Sequence, residues 1–148
     1  MILSKSCIYG IQAAIYVASQ RGEDYVAISR IAEQLNISFH FLTKVLQQVT
    51  QAGLMISYRG PKGGVALTRP TAHITLYDII CAIDGSEMFT ECMLGLPGCG
   101  HQEPCPAHEH WVEVRTRFTS LARRTTLSQL ASRAKDLNVR LANDSVKP

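Results

Sequence analysis

Residues 38–64, SFHFLTKVLQQVTQAGLMISYRGPKGG, hold the clearest structural pattern in this chain of 148 residues. The first half repeats apolar residues at helical spacing and begins at Ser38, a residue type that favours helix N-caps. The second half changes to short extended runs around a glycine-rich turn, and Gly53 lies where the two patterns meet. We therefore predict a helix followed directly by a β-hairpin. The residues predicted to form the buried stripe of this helix are Phe41, Leu42, Val45, Leu46, Val49 and Ala52.

Two helical patterns precede this stretch, and two extended runs form its hairpin. The first helix is predicted over 4–20, and the second over 28–35, where Asn36 supplies a turn residue. The hairpin strands are predicted at 54–58 and 65–68. Two helices joined by a short turn and followed by a hairpin are the layout of a winged helix-turn-helix domain.

The C-terminal half predicts further helices separated by a loop. Thr75 and Asp78 resemble a capping box that opens a helix ending near Gly85. Residues 85–105 lack apolar periodicity and contain several glycines and prolines, which predicts a loop. Pro106 suits the first turn of a long helix, whose bulky stripe needs a partner, which is the first helix, a second subunit or both. That stripe comprises Trp111, Val114, Phe118, Leu121 and Ala122, and a further short helix is predicted over 126–134.

The composition excludes several classes of protein. With 46% hydrophobic and 18% charged residues the chain can bury a core, and no apolar run is long enough to span a membrane. We expect a cytoplasmic protein. The formal charge of +3 is divided unevenly, with +4 in residues 1–70, −6 in 71–110 and +5 in 111–148. This asymmetry predicts a basic binding face beside a chemically distinct site.

The outward face of the helix that follows Ser38 carries one positive charge and no carboxylate. On an isolated helix such a face is more typical of plain solvent exposure. Here a hairpin with a basic tip follows directly, and the combination favours DNA binding, because a helix fits the major groove while a hairpin places cations on phosphates or in the minor groove. The candidate DNA-binding residues are Ser38, His40, Thr43, Lys44, Arg59 and Lys62, with Lys5 as a weaker candidate.

Three cysteines and a histidine cluster in and beside the predicted loop, with the spacing C-x6-C-x5-C-x2-H. These gaps are wider than the tight pairs typical of structural zinc sites, and they favour an iron-sulfur cluster. An odd cysteine count also argues against a disulfide framework. The candidate ligands are Cys92, Cys99, Cys105 and His108, with His101, Glu103 and His110 as weaker alternatives, whereas Cys7 and Cys81 are predicted to behave as small buried apolar residues.

Taken together, these motifs resemble the IscR/NsrR/CymR family of winged helix-turn-helix transcriptional regulators, and within it the iron-sulfur cluster-binding, IscR-like branch. The likeness covers about residues 1–132. It is carried by Ile28-Ser29-x-Ile31-Ala32, Ser38-x-x-Phe41-Leu42-x-x-Val45-Leu46, Ala52-Gly53-Leu54, Ser57-x-Arg59-Gly60-Pro61-x-Gly63-Gly64, Ile74-Thr75-Leu76-x-Asp78-Ile79 and the set of Cys92, Cys99, Cys105, His108 and Trp111.

The resemblance implies a homodimer, joined by the helix over 106–124, that binds a palindromic site on double-stranded DNA. It implies that the three loop cysteines hold an iron-sulfur cluster, with His108 as fourth ligand. The nitric-oxide sensors of the family use a carboxylate from the partner's first helix, but the matching position here is Ile8, which favours His108 and a 2Fe-2S cluster and leaves 4Fe-4S open. Base-reading positions map onto Ser38, His40 and Thr43, and the wing arginine maps onto Arg59; His40 and Thr43 depart from the IscR pattern.

The sequence thus predicts a mainly α protein with a small β-hairpin. We expect a winged helix-turn-helix DNA-binding domain over 1–84, a cluster-binding loop over 85–105, a dimerisation helix with a short C-terminal helix over 106–135 and a polar tail over 136–148. The expected function is a transcriptional repressor whose cluster senses redox state, nitric oxide or iron and cluster supply. The alternative is a metal-free, thiol- or ligand-sensing regulator of the same family. An enzyme is not expected, since no phosphate-binding loop or nucleophile motif is present.

Overall fold

The computed structural model describes residues 2–136 of the chain as a helical protein with one antiparallel hairpin. No helix among these residues has the length and apolar character needed to cross a membrane. A 3₁₀ turn spans Thr71–His73, after the hairpin. The elements in chain order are α1 (Lys5–Ser19), α2 (Ile28–Leu35), α3 (Phe39–Gln51), β1 (Met55–Tyr58), β2 (Gly64–Leu67), α4 (Leu76–Asp84), α5 (Glu87–Thr90), α6 (His108–Arg124) and α7 (Leu127–Asp136).

The turn between α2 and α3 forms for the local reasons expected from its residues. Asn36 adopts the left-handed conformation, with φ of 54°, and its N–H bonds the carbonyls that end α2. Ser38 then caps α3 by accepting a hydrogen bond from the Phe41 N–H at 3.3 Å. Four of the six predicted stripe residues are buried, and Phe41 is half-buried. Ala52 is exposed, contrary to prediction, because it is the C-cap, where the helix leaves the core.

The hairpin pairs β1 with β2 from Met55↔Leu67 to Tyr58↔Gly64. Its inner strand also pairs with the segment before α2, because Val26 and Val65 exchange two backbone hydrogen bonds of 2.9 Å. Gly64 permits this approach, since a Cβ there would overlap the Val26 carbonyl. The hairpin is therefore held against the helix-turn-helix rather than projecting freely.

Helix α1 lies at the centre of the core and packs against α2, α3, α4 and α7. The predicted capping box at the start of α4 is present. A second, smaller core cluster joins α1 and α4 to α5 and α6 around four buried residues. These residues are Cys7, Ile80, Phe89 and Ala122. Cys7 is fully buried, as predicted, whereas Cys81 is only half-buried, because it lies towards the edge of this cluster.

The region after α4 differs from the prediction in two respects. The expected loop over 85–105 contains the short helix α5, which forms because buried Phe89 packs against Tyr77 and Phe118, with ring centroids 4.7 and 5.7 Å apart. Helix α6 begins at His108, two residues after Pro106. Its stripe is only partly covered, since Val114 and Leu121 remain 56% and 53% exposed. The expected tail over 136–148 lies, beyond Asp136, outside the described residues.

Candidate DNA-binding face and cysteine site

The outward face of α3 is open at its N-terminal end. Ser38, Phe39 and His40 are exposed, and Lys44 is exposed one turn further along. Thr43 is half-buried and donates its hydroxyl to the Phe39 carbonyl at 2.8 Å, which leaves the hydroxyl oxygen free to accept a bond. With no carboxylate on α3, this end of the helix can approach a polyanion without like-charge repulsion.

A groove of about 750 Å³ separates α3 from the hairpin. Thr43 and Gln47 line it on the α3 side, and Arg59 lines it on the hairpin side, next to Tyr58. Sequence analysis missed two aromatic residues here, the exposed Phe39 on α3 and Tyr58, whose ring stacks on Tyr25 at 5.4 Å. Phe39 could have been recognised from the sequence, because it is an aromatic residue that lies outside the apolar stripe.

The other candidate cations do not line this groove. Lys62 is exposed at the hairpin tip, and Lys44 is exposed on α3. Lys5 is exposed at the start of α1, directly after Ser4, whose N–H and hydroxyl both bond the Asp84 carboxylate. The structure therefore brings Arg59 and Thr43 to one groove and leaves Lys5 at a different part of the fold.

The three loop cysteines converge, with their sulfur atoms all within 4.8 Å of one another. Cys92 Sγ lies 3.5 Å from Cys105 Sγ, and the Cys105 N–H donates to Cys99 Sγ at 3.4 Å. His108 joins them, because its Nδ1 lies 3.4 Å from Cys99 Sγ. Its Nε2 is buried with no hydrogen-bond partner among the described residues. Three thiols and one imidazole thus form a compact soft-donor set of the kind that binds iron or zinc.

The electrostatic environments of the cysteines differ. Hydrogen bonding from the backbone of Leu96 lowers the pKa of Cys92 to about 7, against the opposing effect of burial. Burial raises the pKa of Cys105 above its ordinary value. Burial also raises the pKa of Cys7 to about 12, with a further contribution from Asp84. Cys92 is therefore the thiol most easily ionised of these three, and Cys7 is chemically inert near neutral pH.

Helix α6 holds both ends of the cysteine loop. At its start the His108 N–H bonds the Cys105 carbonyl at 3.0 Å. One turn on, the Trp111 indole N–H donates to the Glu91 carbonyl at 2.8 Å, and Arg115 bonds the same carbonyl. The sequence placed Trp111 in the apolar stripe and in the residue set shared with the family, but it indicated no contact with Glu91. It did not single out Arg115, because nothing local marks a surface arginine as a loop anchor.

Comparison with known proteins identifies the family. Residues 3–133 match the model of Rrf2, described as an iron-dependent transcriptional regulator. The chain belongs to the Rrf2 family. The Rrf2 match and the relatives below confirm the resemblance to the IscR and CymR regulators. The family is one of transcriptional regulators.

Relatives of this Rrf2 protein are similar over nearly its whole length. The transcriptional regulator IscR of Xenorhabdus nematophila is 31% identical over 147 residues, which cover 99% of this chain and 89% of the relative. Among solved structures, CymR, the global cysteine regulator of B. subtilis, is 30% identical with a TM-score of 0.75, covering 88% of this chain and 95% of that one. T. potens IscR is 26% identical with a TM-score of 0.74, covering 93% and 91%. These structures confirm the winged-helix fold class.

The contrast between Cys92 and Cys105 predicts different pH profiles for alkylation of the metal-free Rrf2 protein. A thiolate is the reactive form, so the iodoacetamide rate at Cys92 should be half-maximal near its pKa of about 7 and level off above it. The rate at Cys105 should still rise where that of Cys92 is constant, because the pKa of Cys105 is raised. Peptide mass spectrometry at each pH measures both rates.

A Cys92→Ser variant provides the control, because it removes the early-titrating signal and leaves that of Cys105. Identical profiles for the two thiols would contradict the assigned hydrogen bonding.

Proposed function

We propose that this Rrf2 protein is a homodimeric transcriptional repressor that binds a palindromic operator, and that an iron-sulfur cluster on Cys92, Cys99, Cys105 and His108 controls this binding. The observation that carries the proposal is the convergence of three sulfur atoms within 4.8 Å beside a histidine, in a member of a DNA-regulator family. Residues 1–84 then read DNA, 85–105 hold the cluster and 106–135 pair the subunits.

The DNA-binding part of the proposal rests on α3 and the hairpin. The exposed N-terminal end of α3 offers Ser38, His40 and Thr43 to base edges in a major groove. Arg59 lines the groove between α3 and the hairpin and is proposed to enter the minor groove. Lys44, Lys62 and, more remotely, Lys5 are proposed to contact phosphates.

The homodimer is supported by the uncovered face of α6. Val114 and Leu121 lie two turns apart on one side of the helix and are both more than half exposed, with half-buried Phe118 between them. A stripe of this size is stabilised when a second copy covers it. A two-fold dimer presents two copies of α3, which is the arrangement that a palindromic operator requires.

The donor set fits an iron-sulfur cluster. Three thiolates and an imidazole are a known cluster ligand set, and the buried Nε2 of His108 lacks a protein partner in the described residues. We favour 2Fe-2S, because Ile8 on α1 cannot supply the carboxylate that the alternative family scheme uses, and 4Fe-4S is the second choice. When bound, the cluster would supply one-electron redox chemistry and sensitivity to nitric oxide and to iron supply.

The contacts around α5 connect the cysteine site to α4 and α6, so a structural change in the loop can be transmitted to these helices. Phe89 lies three residues before Cys92 and packs between Tyr77 of α4 and Phe118 of α6. A rearrangement of the loop would therefore shift α5 and disturb its packing with both helices. Because α6 is the proposed dimer helix, the spacing of the two α3 helices would change with it.

For DNA binding we predict that Arg59→Ala weakens the affinity for a duplex selected by the protein from a random library by about 1–3 kcal/mol. It should also reduce the magnitude of the slope of log K against log salt, because a cation in the minor groove lies in the negative potential of the flanking phosphates. Fluorescence anisotropy at several salt concentrations measures both quantities.

The matched control is Arg133→Ala, which removes an exposed cation from α7. An unchanged affinity of Arg59→Ala, or an equal loss in Arg133→Ala, would remove Arg59 from the proposed interface.

For the cluster we predict that protein purified without oxygen is coloured and contains iron and acid-labile sulfide. The visible absorption should be lost in Cys99→Ala, because this thiol contacts both Cys105 and His108. Cys81→Ala is the matched control, since it removes a half-buried cysteine outside the loop and should keep the colour. Colourless protein holding stoichiometric zinc would refute the cluster, and Mössbauer spectra distinguish 2Fe-2S from 4Fe-4S.

A second candidate function is a metal-free thiol sensor, favoured by the 3.5 Å between Cys92 Sγ and Cys105 Sγ. Peroxide would oxidise the two thiols to a disulfide, forming one S–S bond as two protons and two electrons reduce the peroxide to two waters. The likeness to CymR supports this alternative. Colourless protein whose DNA affinity changes reversibly with this disulfide would favour it over the cluster.

A further inference from the structure

We propose that Arg115 is the positioning residue of the cysteine site. Its side chain fixes the chain immediately before Cys92 and so holds Cys92 against Cys105, coupling the loop to α6. The functional importance of this positioning rests on the proposed regulatory role of the loop. The contacts of Arg115 and the test below require no bound cluster.

The contacts of Arg115 are with backbone rather than with side chains. Its Nη1 donates to the Thr90 carbonyl at 3.1 Å and to the Glu91 carbonyl at 3.0 Å. Thr90 is the last residue of α5 and Glu91 is its C-cap. Carbonyl groups at a helix C-terminus lack partners within the helix, so a guanidinium can satisfy them. Cys92 is the next residue in the chain, and its backbone leaves from this bonded end.

The neighbouring arginine shows that this use of Arg115 is specific. Arg117 forms an ion pair of 2.9 Å with Glu113, one turn earlier on α6, and its side chain is 80% exposed. Arg115 is half-buried and forms no ion pair with the side chains that the structure describes. Because its charge meets only backbone carbonyls there, it contributes charge-assisted hydrogen bonds to the loop, which are stronger than neutral ones.

Arg115 restrains the end of the loop that lies just before Cys92. The second end continues directly into α6, where the His108 N–H bonds the Cys105 carbonyl. Without the contacts at Thr90 and Glu91, the backbone before Cys92 gains freedom, and the probability of finding Cys92 Sγ near Cys105 Sγ falls. Trp111 donates to the same Glu91 carbonyl, so part of the restraint persists when Arg115 is replaced.

The test measures how strongly the fold brings the two thiols together. In metal-free protein carrying Cys99→Ser, the equilibrium between the dithiol and the Cys92–Cys105 disulfide is measured in glutathione buffers by peptide mass spectrometry. Arg115→Gln should lower the effective concentration of this thiol pair about tenfold, the effect of losing one charge-assisted hydrogen bond. Arg117→Gln should leave it unchanged, because among the described residues that side chain bonds Glu113 alone.

Arg115→Lys keeps a charged donor and should retain most of the effective concentration. Circular dichroism checks that each variant keeps its helices, which separates positioning from loss of fold. A wild-type value in Arg115→Gln, an equal fall in Arg117→Gln, or an equal loss in the Lys and Gln variants would overturn the assignment. If the effective concentration falls tenfold in Arg115→Gln, the positioning role is supported even when the protein never binds iron. In that case only the proposed cluster is rejected.

Discussion

The segment between α5 and α6, which lacks regular structure, must keep three thiols within reach of one another and of the His108 imidazole at the start of α6. Such a segment has a large conformational entropy, and its own glycines and prolines provide no periodic hydrogen bonding. Helix α6 overcomes this by holding both ends, through Trp111 and Arg115 at the first and through His108 at the second. The same helix exposes the apolar stripe proposed to pair two subunits, so the site and the interface share one rigid element.

Backbone hydrogen bonds also fix the position of the hairpin on the proposed DNA-binding side. The backbone bonds between Val26 and Val65 tie the hairpin to the segment that leads into α2, and Gly64 leaves room for them. Arg59 lies on this anchored hairpin and lines the groove opposite α3. The division of charge follows this architecture, since the basic residues 1–70 contain α3 and the hairpin, while the acidic residues 71–110 contain the cysteine loop. Long-range electrostatics therefore disfavour the approach of DNA to the acidic region, and the proposed DNA-binding residues lie in the basic one.

Much of the fold could be predicted because its signals are local. Ser38, Asn36 and the Thr75–Asp78 capping box each act within one turn of the chain, and the structure confirms all three. Ala52 misled the prediction, because a periodic pattern does not reveal where a helix leaves the core. Helix α5 was missed because it is stabilised by contacts of Phe89 with residues distant in the sequence. Arg115 could not be identified for the same reason, since its partners lie 24 and 25 positions away.

If the state of the cysteine site controls DNA binding, as proposed, it must change the affinity of the protein for an operator. The most direct test measures the Kd for one selected duplex, at fixed salt concentration, with cluster-loaded protein and with the same protein after anaerobic removal of the cluster. The two Kd values should differ by about tenfold or more, within the range usual for coupled sites. A protein lacking Cys92, Cys99 and Cys105 should show one Kd under both treatments. Equal Kd values for loaded and cluster-free protein would show that the cysteine site does not control DNA binding.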